Sequence, residues 1–282
     1  MFAQHFLSFG DTEIHVRVMG KPDAPALLCL HGLTRTGHDF DHLEPVLGEK
    51  FQLILPDLPG RGLSSWSSDP KEGYRLGTYS QQIAWVLDEL NIDAVHWLGT
   101  SLGGLIALYG SQHMLKGRIL SLCLNDIGPE VPADVAAAIV QYASQPMRFA
   151  KASEFFAMIK QLYAPFGIQD ERRWAEFLHH SIRRDDDGKY GFQHDPHVVA
   201  AAVAHPEDMA ELWSHFAQLD MPLLVVQGAD SLLLTNDICA SMMALQPQAK
   251  LLRVAGAGHA PYLDPQREGK ELLKFFNING HE

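Results

Sequence analysis

A serine between two glycines carries the strongest chemical signal in this sequence. The strand-like run 95–98 leads into G-T-S-L-G (residues 99–103), and the apolar stretch 105–109 follows at once. The pattern G-x-S-x-G between a strand and a helix is typical of a nucleophile elbow, which holds a serine hydroxyl out from the sheet edge. Glycine is needed at both flanks because a Cβ atom there would collide where strand and helix nearly touch. Ser101 is therefore the predicted nucleophile.

A serine hydroxyl also needs a base and a place for negative charge, because it is a weak nucleophile near neutral pH. Among fifteen histidines the candidate base is His259, which lies in the small-residue loop A-G-A-G-H-A-P (255–261) after the last predicted strand. The backbone N–H of Leu102, at the start of the helix after the serine, would face an oxyanion, and the helix dipole favours negative charge there. These residues predict attack on a carbonyl group.

The rest of the chain predicts a layered scaffold for these groups. Buried or alternating strand patterns and helical patterns follow one another along the chain, which favours a doubly wound, mostly parallel α/β sheet of eight strands with right-handed crossovers. The predicted strands are 2–9, 13–19, 26–30, 53–55, 95–98, 119–124, 222–228 and 250–254, and the predicted helices are 39–47, 78–91, 105–109, 236–244 and 265–276.

This alternation breaks between Gly128 and His215, where no buried strand pattern occurs. We predict a mainly helical cap over the serine, residues 129–212, inserted into a core made of residues 1–128 and 213–282. The helical patterns of the insertion are 132–144, 151–163, 170–182 and 196–203, with a charged turn at 183–189.

Composition excludes several classes of protein. The formal charge is −12, from 22 basic and 34 acidic residues, which disfavours nucleic acid or an anionic membrane surface as a partner. We find neither a signal-peptide pattern at the N-terminus nor an apolar run of membrane-spanning length. Cys29 and Cys123 lie in apolar runs and Cys239 completes an odd set of three, which predicts reduced thiols and a cytoplasmic protein.

The motifs together resemble the α/β-hydrolase fold family. They are H-G (31–32) after the third strand, D-L-P-G-R-G (57–62) after the fourth, G-T-S-L-G after the fifth and G-H-A-P (258–261) after the eighth. The resemblance spans nearly the whole chain and is strongest to the capped bacterial esterases, lactonases and carbon–carbon-bond hydrolases. It implies a triad in the order serine, acid, histidine, without a cofactor. It also implies a second oxyanion donor at the N–H of Leu33, with His31 and Gly32 shaping that loop at the substrate pocket.

The acid of the triad departs from the family pattern. The family usually carries it three or four residues beyond the glycine that ends the seventh strand, but counting from Gly228 those positions hold Ser231 and Leu232. Asp230 is one residue early. Asp126 lies at the end of the sixth strand, the other location known in this fold. Each aspartate also has a simpler explanation as a turn residue, and both stay candidates, with a slight preference for Asp126.

Other polar clusters have simpler interpretations. His38 and His42 are four residues apart, as helical metal ligands can be, but no adjacent third ligand is evident, so no metal site is predicted. The run D-D-D-G (185–188) lacks the spacing and the closing glutamate of a calcium loop. Asp57 and Arg61 are expected to organise their own turn. Six aromatic residues and one methionine of the insertion are expected to form its own core: Phe155, Phe156, Met158, Tyr163, Phe166, Trp174 and Phe177.

These features predict a cofactor-free serine hydrolase, monomeric or homodimeric, that cleaves a small, largely apolar carboxylic ester. A lactonase or a hydrolase of vinylogous diketones is the alternative, because the resemblance allows the same triad and cap to serve both. Haloalkane dehalogenases and epoxide hydrolases are disfavoured, since those relatives use a carboxylate where this chain has Ser101. A non-catalytic ligand-binding receptor on the same fold is the alternative of another class. The missing standard acid favours a receptor, whereas intact Ser101 and His259 oppose it.

Overall fold

An eight-stranded sheet lies at the centre of the chain in this computed structural model, which describes residues 2–143, 147–202 and 204–278. The strands of the described chain are β1 (Phe2–Phe9), β2 (Thr12–Gly20), β3 (Ala26–Leu30), β4 (Gln52–Pro56), β5 (Val95–Thr100), β6 (Ile119–Asn125), β7 (Ile182–Arg184), β8 (Tyr190–Phe192), β9 (Leu223–Gly228) and β10 (Lys250–Val254). The large sheet has the order β1-β2-β4-β3-β5-β6-β9-β10. Only β2 pairs antiparallel, with β1 and β4, and every other pairing in this sheet is parallel. The predicted mostly parallel sheet is confirmed.

Helices cover both faces of this sheet. They are α1 (Glu44–Leu47), α2 (Pro70–Gly73), α3 (Leu76–Glu89), α4 (Leu102–Gly110), α5 (Ala133–Ala143), α6 (Ala152–Leu162), α7 (Glu171–His179), α8 (His197–Ala202), α9 (Leu212–Ala217), α10 (Asn236–Leu245) and α11 (Glu268–Ile278). Three short 3₁₀ helices add to them: Gly37–Leu43, Ala164–Phe166 and Pro206–Met209. Among the described residues, no helix is both long and apolar enough to cross a bilayer.

The alternation of side chains along β3 divides the core into two layers. Leu28 and Leu30 pack into one cluster with residues of α3 and α4, while Leu27 and Cys29 pack into the opposite cluster with residues of α11. All five residues of β3 are buried, as expected for a parallel strand covered on both faces. The elbow strand β5 pairs with β3 on one side and β6 on the other, so Ser101 follows a strand in the middle of the sheet.

The segment between β6 and α9 contains α5 to α8 together with β7 and β8, a small antiparallel hairpin. The helix predicted over 170–182 ends earlier, at His179, because Ser181 donates to the Phe177 carbonyl and its own carbonyl accepts from Gln193. The charged turn predicted at 183–189 is the tip of the hairpin, with Gly188 at φ 80°. The last residue of the 132–144 helical pattern and the last of 196–203 lie outside the described residues.

Aromatic side chains give this segment a core of its own. Phe155, Tyr163, Trp174 and Phe177 are buried in one cluster, against which Phe156, Met158 and Phe166 pack as partly buried members. All seven aromatic and sulfur-containing residues expected in this core therefore belong to it. Their T-shaped ring pairs, such as Tyr163 on Phe177 at 5.0 Å, are the preferred edge-to-face arrangement.

Candidate active site

The backbone of Ser101 has φ 52° and ψ −115°, a sparsely populated conformation for a residue with a side chain. It forms the turn between β5 and α4. A Cβ atom on Gly99 would lie 2.6 Å from the Gly103 carbonyl oxygen, and one on Gly103 would lie 2.1 Å from that of Leu30. Both contacts are far inside van der Waals distance, so the G-x-S-x-G pattern follows from the close approach of strand and helix.

The imidazole of His259 lies between Ser101 and a buried carboxylate. Its Nε2 is 3.0 Å from Ser101 Oγ, and its Nδ1 is 2.8 Å from Asp126 Oδ2. The His259 side chain is 30% exposed, whereas that of Asp126 is fully buried. With the Nδ1 proton on the side of the carboxylate, Nε2 presents a lone pair to the serine hydroxyl. This arrangement can remove the serine proton and stabilise the resulting imidazolium.

The Asp126 carboxylate is held by three hydrogen bonds. Oδ1 accepts from the Gly228 backbone N–H at 2.7 Å, and Oδ2 accepts from Ser231 Oγ at 2.6 Å in addition to His259. A buried charge is tolerated when it is hydrogen-bonded in this way. The residue has φ 55°, directly after β6, and its N–H donates to the Val226 carbonyl. The side chain is thereby aimed across the end of β9.

Asp230, the other candidate acid, is exposed, and its backbone N–H donates to the Ala257 carbonyl. Within the described residues, the carboxylate that contacts His259 is that of Asp126. Ser231 occupies a position where the family usually carries the acid, and it supports this carboxylate through its hydroxyl.

The loop after β3 lies beside the elbow. A Cβ atom on Gly32 would lie 3.6 Å from Ser101 Cβ, which is ordinary contact. Leu33, Leu102 and Ser101 line the same cavity. Arg61 fixes this loop, since its Nε donates to the Leu33 carbonyl at 2.7 Å. The two predicted oxyanion donors therefore belong to segments that both border the serine.

His31 differs from its predicted place at the substrate pocket. It is fully buried, its Nδ1 contacts the Gly32 carbonyl at 2.7 Å, and its Nε2 accepts from Leu58 N–H at 2.9 Å. Burial lowers the pKa of His31 to about 4, so the ring is neutral near pH 7. Among the described residues around the cavity, the lining includes Leu33 but neither His31 nor Gly32. Both ring nitrogens are engaged by backbone groups of the loops after β3 and β4. The ring therefore links these two loops and does not face the cavity.

A cavity of about 490 Å³ opens at Ser101. It is lined by Leu105 of α4 and by Ile127, which follows β6, together with Ile139 of α5 and Ala201 of α8. Among the described residues, the lining consists of Leu33, Tyr74, Arg75, Leu76, Ser101, Leu102, Leu105, Ile127, Pro129, Glu130, Val131, Ala136, Ile139, Ala201, Ala202, His205, Pro206, Asp208, Met209, Trp213 and Leu233. Most of these side chains are apolar, so the cavity suits an apolar ligand with a polar end.

The charged part of the lining was missed by sequence reasoning. Arg75 Nη2 lies 2.6 Å from Asp208 Oδ1, and Trp213 donates to Glu130 at 2.7 Å. The partners are 133 and 83 residues apart in the chain. No local pattern marks such pairs, because only the course of the chain between the partners brings them together.

The turn at Asp57 and the acidic turn at 183–189 lie outside the Ser101 cavity and stabilise the fold. Asp57 accepts from Leu63 N–H at 3.2 Å within its own turn, as expected. It also accepts from Gly37 N–H at 2.9 Å and contacts His15 Nδ1 of β2 at 2.8 Å, which ties the turn to the sheet. The acidic turn pairs with a cation, since Arg148 lies 2.8 Å from both Asp185 and Asp187. The predicted charged turn is therefore an ion-paired hairpin tip.

His42 does not share a site with His38. Its Nε2 contacts the carbonyl oxygens of Tyr262 and Leu263 at 2.8 and 3.0 Å, and its ring stacks on Tyr262. His42 therefore joins the loop at Tyr262 and Leu263 to the core, and its spacing of four residues from His38 does not mark a pair of metal ligands.

Comparison with known proteins identifies the family of this chain. The family model described as the α/β-hydrolase fold matches residues 25–266. A 3-hydroxybutyrate-oligomer hydrolase of Cupriavidus necator is 34% identical, over 87% of this chain and 87% of its own. A pimeloyl-[acyl-carrier protein] methyl ester esterase of Xanthomonas axonopodis pv. citri is 27% identical, over 93% of this chain and 98% of its own. The crystal structure of a putative hydrolase from Rickettsia typhi matches this chain with a TM-score of 0.84 and 29% sequence identity. The match covers 95% of this chain and 92% of the other. The chain belongs to the α/β-hydrolase fold family.

Proposed function

We propose that this protein is a serine hydrolase that cleaves a carboxylic ester through an acyl-enzyme on Ser101. The observation that carries the proposal is the position of the His259 ring, 3.0 Å from the serine hydroxyl on one side and 2.8 Å from Asp126 on the other. The esterase and hydrolase names of the relatives support the same class of reaction. The assignment of Asp126 as the acid rests on this contact.

The proposed reaction has two halves. His259 Nε2 takes the proton of Ser101 as Oγ attacks the ester carbonyl, and the oxyanion is stabilised by the N–H groups of Leu102 and Leu33. The imidazolium, held by Asp126, then gives that proton to the departing alcohol oxygen. Water enters, loses a proton to His259 and attacks the acyl-enzyme. Collapse of the second oxyanion returns the proton to Ser101 and releases the acid.

The cavity supports a substrate that is small and largely apolar. Its volume of about 490 Å³ accommodates a short acyl chain and alcohol, and its walls come from both the core and the proposed cap, residues 129–212. Because the C. necator relative is named for the hydrolysis of hydroxybutyrate oligomers, a linear ester of two short hydroxy acids is the first natural substrate to test.

The test combines turnover with labelling of the nucleophile. We expect short-chain p-nitrophenyl esters to be hydrolysed by the wild type and not by Ser101→Ala. An organophosphonate should modify Ser101 alone, as read by mass spectrometry. A modified serine elsewhere, with Ser101 free, would contradict the proposal. Saturable binding of esters without turnover would instead support a receptor.

A panel of substrates separates the reactions that share this machinery. Esters, hydroxy-acid dimers, lactones and vinylogous diketones are compared by kcat/KM under one set of conditions. We expect the linear esters to lead. Preference for a lactone or a diketone by tenfold or more would move the assignment to that alternative.

A further inference from the structure

A second cluster of reactive side chains lies where the core meets the segment between β6 and α9. His38 and Asp41 belong to the 3₁₀ helix Gly37–Leu43, and His180 directly follows α7. One ligand atom from each of the three lies within 4.8 Å of the others, and among the described residues this is the group that meets the distance for a shared metal ion. The rings of His38 and His180 stack with centroids 3.6 Å apart.

The chemistry of this set suits a borderline transition metal. Two imidazole nitrogens and a carboxylate oxygen are ligands of the kind found around zinc, copper and nickel. His38 Nδ1 and Asp41 Oδ2 share a hydrogen bond of 2.7 Å, and an ion can replace the shared proton.

The surroundings leave space for the ion and orient its ligands. All three side chains line a cavity of about 290 Å³, in which the other carboxylates, Asp39 and Glu176, are paired with Arg35 and Arg173, so water can complete the coordination. Arg17 Nη2 lies 2.7 Å from Asp41 Oδ1 and fixes the carboxylate, as outer partners of metal ligands do.

The ligands must move together slightly to bind one ion. Ligands on a tetrahedral ion with bonds of about 2.0–2.1 Å lie roughly 3.3 Å from one another. The His38 and His180 rings are stacked, so their lone pairs converge on one ion only after a rotation about the side-chain torsions. The His38 side chain is 27% exposed, so part of this ring borders solvent and not packed protein.

We infer that His38, Asp41 and His180 form a binding site for a divalent transition-metal ion such as Zn²⁺, which ties the segment between β6 and α9 to the core. The two sides of the site are held in place by different parts of the chain, 139 residues apart from Asp41 to His180. Metal binding at this site therefore stabilises the contact between them. The inference does not depend on the proposed hydrolase activity.

The experiment measures Zn²⁺ binding to the full chain in competition with a chromophoric chelator. We expect one Zn²⁺ per chain, and an affinity that falls at least roughly tenfold in His180→Ala and in His38→Ala, since losing even an outer partner of a metal ligand costs about 10–100-fold. Asp41→Asn keeps the shape and should weaken binding in the same way. His179→Ala is the matched control, because this exposed histidine neighbours His180 but does not line the cavity.

Thermal unfolding gives a second readout that needs no substrate. Zn²⁺ should raise the Tm of the wild type and of His179→Ala, and should leave the Tm of His180→Ala unchanged, because only a folded chain that binds the ion gains stability from it. If His180→Ala does not fold, His38→Ala answers the same question. Binding of less than one Zn²⁺, wild-type affinity in both histidine variants, or an equal loss in His179→Ala would overturn the inference.

Discussion

The Ser231 hydroxyl donates a hydrogen bond of 2.6 Å to Oδ2 of Asp126, the same oxygen that lies 2.8 Å from His259 Nδ1. The backbone N–H groups of Leu233 and Leu234 in turn point at Ser231 Oγ, at 3.2 and 3.0 Å. With its lone pairs engaged by these donors, the hydroxyl directs its own proton to the carboxylate. Ser231, at the usual acid position, thus donates a hydrogen bond to the candidate acid Asp126, which follows a different strand, β6.

Replacement of Asp126 by asparagine tests the acid. We expect kcat of Asp126→Asn to fall by roughly 10⁴-fold, because an amide no longer selects the tautomer of His259 or stabilises its cation. Asp230→Asn is the matched control and should remain near the wild type, since that side chain is exposed. Ester turnover by both variants is the measurement. A large loss in Asp230→Asn with little in Asp126→Asn would transfer the role to Asp230.

Removal of the Ser231 hydroxyl tests its support of the carboxylate. A hydrogen bond to a charged group contributes about 1.5–3 kcal/mol, so Ser231→Ala is expected to lower kcat by roughly tenfold or more while KM changes little. Ser231→Thr keeps the hydroxyl and should recover most of the activity. Equal kcat values for the alanine variant and the wild type would show that Gly228 and His259 are enough to position Asp126.

Arg35 joins the loop after β3 to the aromatic core of the insertion. Its guanidinium lies 3.4 Å from the centre of the Phe177 ring and donates to Ser181 Oγ at 2.5 Å, while its backbone N–H donates to Gly32. A desolvated cation–π contact is worth about 2 kcal/mol. Arg35→Ala should therefore lower Tm by several degrees and reduce kcat/KM.

The control for Arg35 is Arg173→Ala. Arg173 pairs at 2.8 Å with Glu176, whose side chain is 51% exposed, and such surface pairs contribute about 0–1 kcal/mol. Differential scanning calorimetry compares the two variants. Equal shifts of Tm in both would mean that Arg35 holds the insertion no more firmly than a surface ion pair does.

The buried His31 predicts a pH-dependent stability. Burial lowers its pKa from 6.5 to about 4, so between these values the unfolded chain binds a proton that the folded chain does not. The stability linked to His31 is fully present above pH 6.5 and is lost as the pH falls towards 4. The contribution is on the order of 3 kcal/mol, from about 1.4 kcal/mol per pH unit.

Denaturant unfolding between pH 4.5 and 7.5 measures this effect. His31→Gln should have a lower free energy of unfolding at pH 7 and a shallower dependence on pH than the wild type. His179→Gln, at an exposed position, should follow the wild-type slope. An unchanged slope in His31→Gln would assign the pH dependence to the other buried histidines.

The order of the scaffold was predictable from the sequence because its signals are local. The apolar runs of β3, β5 and β9 each mark a strand buried on both faces, and the glycines around Ser101 mark the close approach of β5 and α4. Short-range sterics and periodicity determine such features, and both are written in adjacent residues. The hairpin of β7 and β8 was missed because three-residue strands are too short to show a period.

Ser101 and His259 were singled out as candidates from the sequence alone, since each lies in a small-residue loop after a strand. The tertiary structure decided which carboxylate contacts His259, because Asp126 and Asp230 follow neighbouring strands but the side chain of Asp126 is buried against His259 whereas Asp230 is exposed. It also decided that Arg75 meets Asp208 in the cavity wall and that His180 meets His38. These contacts join residues more than a hundred positions apart, and the course of the chain between them, which no local pattern encodes, sets the distances on which their chemistry depends.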